Sequence, residues 1–197
     1  MIKAGFARLD VTPPLGTELA GYFEKRYAKG VLDPVELNAL AFGNGEDTAL
    51  LIACDFTGMN YSCGKELRAR IAHRTGVAAE RVMLCTLHQH TSFRVGDFMH
   101  AVPAMKDDSF LNVLYRKFED VAQMAVEDMS TALLGSAGKE AVEPLSFTRR
   151  YRLEDGTVAT NPSSKHARPV ARCDRSDTPP AAPSRPPLSW LWTIPMF

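Results

Sequence analysis

The first 161 residues alternate short apolar segments with turn-forming residues, a pattern typical of strands and helices that follow one another. Apolar residues at intervals over 2–11, ending at a Pro-Pro turn, predict a first strand. Two further apolar segments, 37–42 and 48–54, flank an Asn-Gly dipeptide, which is the strongest short-range signal for a β-hairpin. Because the segment 48–54 is apolar on both faces, we expect it to be an inner strand of a sheet.

Helical periodicity appears in two places. Residues 63–75 place apolar side chains on one stripe and stop at Gly76, as a surface helix with a glycine C-cap does. Residues 109–134 repeat apolar positions every three or four residues and predict a long helix. A short apolar strand at 81–87 completes a strand-helix-strand crossover, and 146–160 predict a last hairpin. The expected fold class is therefore α/β, a mixed sheet with flanking helices.

Residues 162–197 differ in composition from the rest of the chain. They hold eight of the thirteen prolines and both tryptophans, and their five basic and two acidic residues give a charge of +3 against −3 for the preceding residues. Proline removes amide donors and fits neither helical nor strand interiors. We therefore expect a domain over 1–161 and an irregular Pro/Arg-rich tail over 162–197.

Overall composition narrows the class of protein. The 197 residues are 45% hydrophobic, enough for a core, and 23 basic against 23 acidic residues leave no net charge to attract nucleic acid or an anionic membrane. No apolar segment approaches the roughly 20 residues that cross a bilayer, and no export signal opens the chain. The sequence as written predicts a cytoplasmic protein without a transmembrane segment.

Candidate chemistry centres on His88-Gln89-His90, which follows the apolar strand 81–87. Strand geometry would send both imidazoles to one side, where they could meet a single metal ion or substrate, although two packed or solvated histidines explain the pattern equally well. Asp55 could orient a metal-bound histidine or cap a turn. Arg149 could hold a substrate carbonyl or carboxylate, or be an edge-strand charge.

Five segments, in this order along the chain, resemble the N-terminal region of the neutral/alkaline (non-lysosomal) ceramidase family: 4–16, 20–22, 30–34, 50–55 and 86–90. The resemblance extends over about residues 4–161 and implies the N-terminal part of a larger catalytic domain. It implies a zinc-dependent amidohydrolase that cleaves the N-acyl bond of ceramide, a sphingolipid, into sphingosine and a fatty acid. By position, His88 matches a zinc ligand, His90 a catalytic histidine near the reacting carbonyl, and Arg149 a substrate-binding arginine.

The chain departs from that family in three places. Gln89 replaces a threonine, and residues 91–93 replace Ser-Gly-Pro, so a related lipid amide or an ester is an alternative substrate. The family's other zinc ligands and its serine motif lie beyond the matching residues, which predicts an incomplete site that is inactive alone. The resemblance stops after residue 170, and the codons for 172–177 can be written so that the next frame encodes Gly-Ala-Ile-Asp-Pro, which suggests a frameshift. The alternative function is a non-catalytic binding domain that uses the His88/His90 face or the Pro-rich tail.

Overall fold

The computed structural model describes residues 1–22, 24–96, 105–138, 148–162, 165–173 and 192–193. The chain divides into two compact units, one of residues 1–134 with 193–197 and one of residues 135–192. Along the chain the elements are β1 (Lys3–Asp10), β2 (Glu18–Leu19), β3 (Arg26–Tyr27), β4 (Glu36–Gly43), β5 (Thr48–Cys54), β6 (Gly58–Met59), α1 (Tyr61–Thr75), a 3-10 turn (Ala79–Arg81), β7 (Val82–Thr86), β8 (Arg94–Val95), α2 (Asp108–Glu127), β9 (Ser130–Thr131), β10 (Leu134–Gly135), β11 (Arg150–Leu153), β12 (Val158–Thr160), β13 (Pro169–Arg172) and β14 (Trp192–Thr193).

The largest sheet of the first unit has the strand order β7-β5-β4-β1-β9. β1, β4 and β5 pair antiparallel, and the loop between β4 and β5 is closed by the Asn44 side chain, whose Oδ1 accepts from the amides of Glu46 at 2.9 Å and Asp47 at 2.8 Å. Gly45 follows with φ of 101°, a conformation that favours glycine. The predicted hairpin and the inner position of β5 are therefore confirmed.

β5 and β7 are parallel neighbours joined by α1. The helix begins after Asn60, whose side chain accepts from the amide of Cys63 at 2.9 Å, and ends at Gly76 with φ of 74°. Leu67 and Ile71 are fully buried on its inner stripe. The crossover is as predicted, and the helix starts two residues earlier than expected because Asn60 caps its first turn.

The second helix, α2, is shorter than its predicted range of 109–134. It starts at the N-cap Asp107 and ends at Glu127, and its buried stripe joins that of α1 in one hydrophobic core against the sheet. Asp128 accepts from the amide of Phe6 at 2.8 Å, and Ser130–Thr131 pair with β1 as β9. The prediction was wrong after residue 127 because the open edge of β1 supplies hydrogen bonds that a continued helix would leave unmade.

The second unit contains a three-stranded sheet of order β12-β11-β13. The hairpin β11–β12 is confirmed, while residues 146–147 of its predicted range lie outside the described residues. β13 pairs with β11, and Cys173 after it is buried at 5% exposure, so regular structure extends into the stretch expected to be an irregular tail. Residues 174–191 of that stretch are outside the described ranges, and the division at residue 161 remains a prediction.

The observed architecture is α/β, with a mixed sheet and two helices in the first unit, as the sequence predicts. Neither α1 nor α2, the helices of the described chain, is long and apolar enough to cross a membrane.

Candidate functional site

The two histidines follow β7 at the edge of the sheet where the parallel strands β5 and β7 both end. Leu87 still donates its amide to the Cys54 carbonyl at 3.0 Å, but His88 then adopts φ of 60° and the extended conformation ends. The expected alignment by strand pleating required the strand to continue to His90, and β7 ends at Thr86. A turn brings them together instead, with ring centroids 4.9 Å apart and planes at 76°.

The orientation of the His88 ring is set by its Nδ1 atom, which lies 2.8 Å from the Thr57 carbonyl oxygen. A carbonyl can only accept a hydrogen bond, so Nδ1 carries a proton, and in the neutral ring Nε2 carries the lone pair. The positive φ of His88 costs about 1–2 kcal/mol in a residue other than glycine. Surrounding contacts must therefore hold this conformation.

Thr57 supplies most of those contacts. Its hydroxyl lies 2.7 Å from the Gln89 carbonyl and 3.2 Å from the Ser92 carbonyl, and its amide donates to the Phe93 carbonyl at 2.9 Å. The residue itself is 4% exposed. One buried threonine after β5 thus anchors both ends of the histidine loop, which we define as residues 88–93.

His90 is held from the other side by β3 and the segment before it. Arg26 Nη2 donates to the His90 carbonyl at 2.6 Å, and the guanidinium carbon lies 3.4 Å from the centre of the Tyr22 ring. Tyr22 meets the His90 ring edge-on at 5.7 Å, and Gly21 packs under that ring. Arg26 Nε and Ser92 Oγ are buried without a hydrogen-bond partner among the described residues, an arrangement that calls for a water, an ion or a functional role.

The Asp55 carboxylate bonds the backbone rather than an imidazole of the described residues. Its carboxylate accepts from the amide of Glu36 at 3.2 Å, and its own amide donates to the Glu36 carbonyl at 3.0 Å. Its carbonyl accepts from the Gln89 side chain, the residue that departs from the resembled family. These contacts join the end of β5 to the start of β4, which is neither of the two roles that the sequence left open for Asp55.

Arg149 lies directly before β11 in the second unit and is exposed. Its carbonyl accepts from the amide of Asn161 at 2.9 Å, which closes the base of the hairpin. A role of its side chain toward substrate remains a prediction.

The fit to a metal ion is partial. His88 presents Nε2 while its other ring nitrogen donates to a carbonyl, the usual arrangement around a metal-bound histidine. Over the described ranges, however, no three His, Cys, Asp or Glu side chains are grouped so that they could hold a metal. A zinc site needs three or four protein ligands, so these residues provide at most part of one.

Sequence reasoning missed Thr57, Arg26, Tyr22 and Gly21. The signal for Thr57 was its place just after β5, since the carboxyl ends of neighbouring parallel strands share one edge. Nothing in the pattern of residues 20–27 indicated that this segment folds over His90.

Solved structures share this fold, among them those of two ceramidases. Neutral ceramidase from Pseudomonas aeruginosa matches with a TM-score of 0.58 at 17% identity over 77% of this chain, and a ceramidase complexed with C2 matches with a TM-score of 0.53 at 17% identity over 69%. The matches cover 25% and 23% of those chains, so this chain spans about a quarter of their length. No family model and no curated protein sequence matches the chain. At 17% identity this similarity shows the fold alone, which is the fold that the sequence resemblance implied.

Proposed function

We propose that this chain carries part of the active site of a zinc-dependent amidohydrolase that cleaves the N-acyl bond of ceramide or a related lipid amide. The observation that carries the proposal is the pair of imidazoles 4.9 Å apart, with Nε2 of His88 left to bind, at a sheet edge of a ceramidase-like fold. His88 is the proposed metal ligand, His90 the catalytic group near the reacting carbonyl, and Arg149 a substrate-binding residue.

The chemistry follows from ordinary metal-assisted hydrolysis. A zinc ion, when bound, polarises the amide carbonyl and lowers the pKa of a coordinated water. His88 contributes a ligand nitrogen whose direction is set by the hydrogen bond on the far side of its ring. His90 is half-buried between Tyr22 and His88, and in this proposal it would hydrogen-bond the carbonyl of a substrate bound beside a metal ion on His88 Nε2.

The proposal includes a limit on this chain. The described residues supply one well-oriented ligand, so we expect weak zinc affinity and no turnover from the chain alone. By the family resemblance, the remaining ligands would come from sequence beyond the part of the chain that matches the family.

The test measures zinc affinity and hydrolysis of an N-acyl sphingosine by the full chain and by His88→Ala, His90→Ala and His73→Ala. His73 is an exposed histidine on α1 and serves as the matched control. We expect His88→Ala to lower zinc affinity at least 10-fold, because it removes a ligand. His90→Ala and His73→Ala should leave zinc affinity unchanged. Zinc affinity that is indifferent to His88 would contradict the proposal.

Hydrolysis is then compared between this chain and a version translated in the next frame after residue 171. Activity in that version that depends on His90 supports the amidohydrolase. A second candidate, supported by the same pair of adjacent imidazoles, is a non-catalytic binding domain that uses the His88/His90 face. Tight binding of zinc or a lipid amide without hydrolysis in either version would establish that candidate instead.

A further inference from the structure

The contacts of Thr57 are unusual because all of its polar groups bind one loop. Its hydroxyl, amide and carbonyl each engage the histidine loop, and together they reach four residues: His88, Gln89, Ser92 and Phe93. A threonine hydroxyl can hydrogen-bond the backbone of its own or a neighbouring residue. Here it crosses to a segment more than 30 residues away.

The loop needs such a restraint. His88 holds a positive φ, a conformation that L side chains adopt only where surrounding contacts enforce it. The single hydroxyl proton of Thr57 is shared between the carbonyls of Gln89 at 2.7 Å and Ser92 at 3.2 Å, while the Thr57 carbonyl accepts a hydrogen bond from His88 Nδ1. Backbone conformation and ring orientation are therefore set by the same residue.

We infer that Thr57 is a positioning residue: its hydroxyl holds the histidine loop against its own carbonyl, and this keeps a proton on Nδ1 of His88 and leaves Nε2 as the binding nitrogen. The carboxylate that could have taken this part, Asp55, is engaged by the Glu36 amide. The inference rests on the proposed function only for what Nε2 binds, and the ring orientation itself is independent of metal and substrate.

The test compares Thr57→Val, which removes the hydroxyl at nearly constant shape, with Thr57→Ser, which keeps it. Thr75→Val is the matched control, because the Thr75 hydroxyl also donates to a backbone carbonyl, that of Ile71 at 2.8 Å, but lies in α1 away from the loop. Long-range nitrogen-15 NMR on the metal-free full chain at mildly alkaline pH reports which ring nitrogen carries the proton. His88→Asn assigns the signal, since asparagine tolerates positive φ.

We expect the Nδ1-protonated form of His88 in the wild type, Thr57→Ser and Thr75→Val, and a mixture of the two tautomers in Thr57→Val. The second readout is Co²⁺ affinity, which we expect to fall about 10-fold or more in Thr57→Val alone, the usual effect of removing support behind a ligand. An unchanged tautomer in Thr57→Val, or an equal change in Thr75→Val, would overturn the inference. If Co²⁺ fails to bind any variant while the tautomer still shifts, the proposed metal site fails and the positioning role of Thr57 stands.

Discussion

Gly21 offers the sharpest test of how the candidate site is packed. It has φ of 92°, and a Cβ built on it would lie 2.4 Å from Cγ and 2.7 Å from Nδ1 of His90. Replacement by alanine therefore carries two costs. The positive φ costs about 1–2 kcal/mol in an L residue, and the overlap with a ring atom close to the His90 backbone adds about 1–3 kcal/mol of overpacking.

Gly16 separates these two costs. It has φ of 85°, and nothing lies within 4 Å of the Cβ position. Gly16→Ala therefore carries the backbone cost alone, about 1–2 kcal/mol, whereas Gly21→Ala should lose about 2–5 kcal/mol of the free energy of unfolding. The gain that alanine brings by restricting the unfolded chain applies equally to both positions and cancels in the comparison.

Urea denaturation of Gly21→Ala, Gly16→Ala, His90→Ala and the double variant Gly21→Ala/His90→Ala completes the cycle. If the overlap with the ring is the cause, Gly21→Ala should cost about 1–3 kcal/mol less of the free energy of unfolding in the His90→Ala variant than in the wild type. The reasoning is refuted if Gly21→Ala costs no more than Gly16→Ala, or if the two substitutions at 21 and 90 are additive.

Three other predictions follow from the fold. Phe118→Ala, at a fully buried position of α2, should cost about 3–5 kcal/mol of unfolding free energy, while Val113→Ala on the exposed face should cost within about 0.5 kcal/mol, as urea curves would show. The hydroxyl and amide of Thr12 hold the pKa of Asp10 below its usual 3.8, so this carboxylate stabilises the folded chain above that pH and its contribution disappears as pH falls through the lowered pKa. Asp10→Asn should flatten the acid limb of stability against pH, and an unchanged limb would contradict this assignment. Burial raises the pKa of the Cys54 thiol far above its usual range, so mass spectrometry should find Cys54 labelled by a thiol reagent only after unfolding.

Local patterns were sufficient for most elements of the first unit. The Asn-Gly turn, the apolar stripe of α1 and its glycine C-cap depend on residues close together in sequence, so their chemistry is visible without a structure. The same holds for the inner strand β5, because only a strand covered on both faces tolerates continuous apolar residues.

Contacts between distant residues decided the rest. α2 stops at Glu127 because residues 130–131 pair with the edge of β1 instead. β13 forms because it pairs with the edge of β11, and the proline content of this segment does not indicate that pairing. The sequence by itself determined that His88 and His90 follow a strand at a sheet edge. Only the tertiary structure decided how they meet, since Thr57, Arg26 and Gly21 contact a loop in which His88 holds a positive φ. Periodicity records which residues share a face of one element, whereas a site made by three separate segments depends on hydrogen bonds that form after those segments pack.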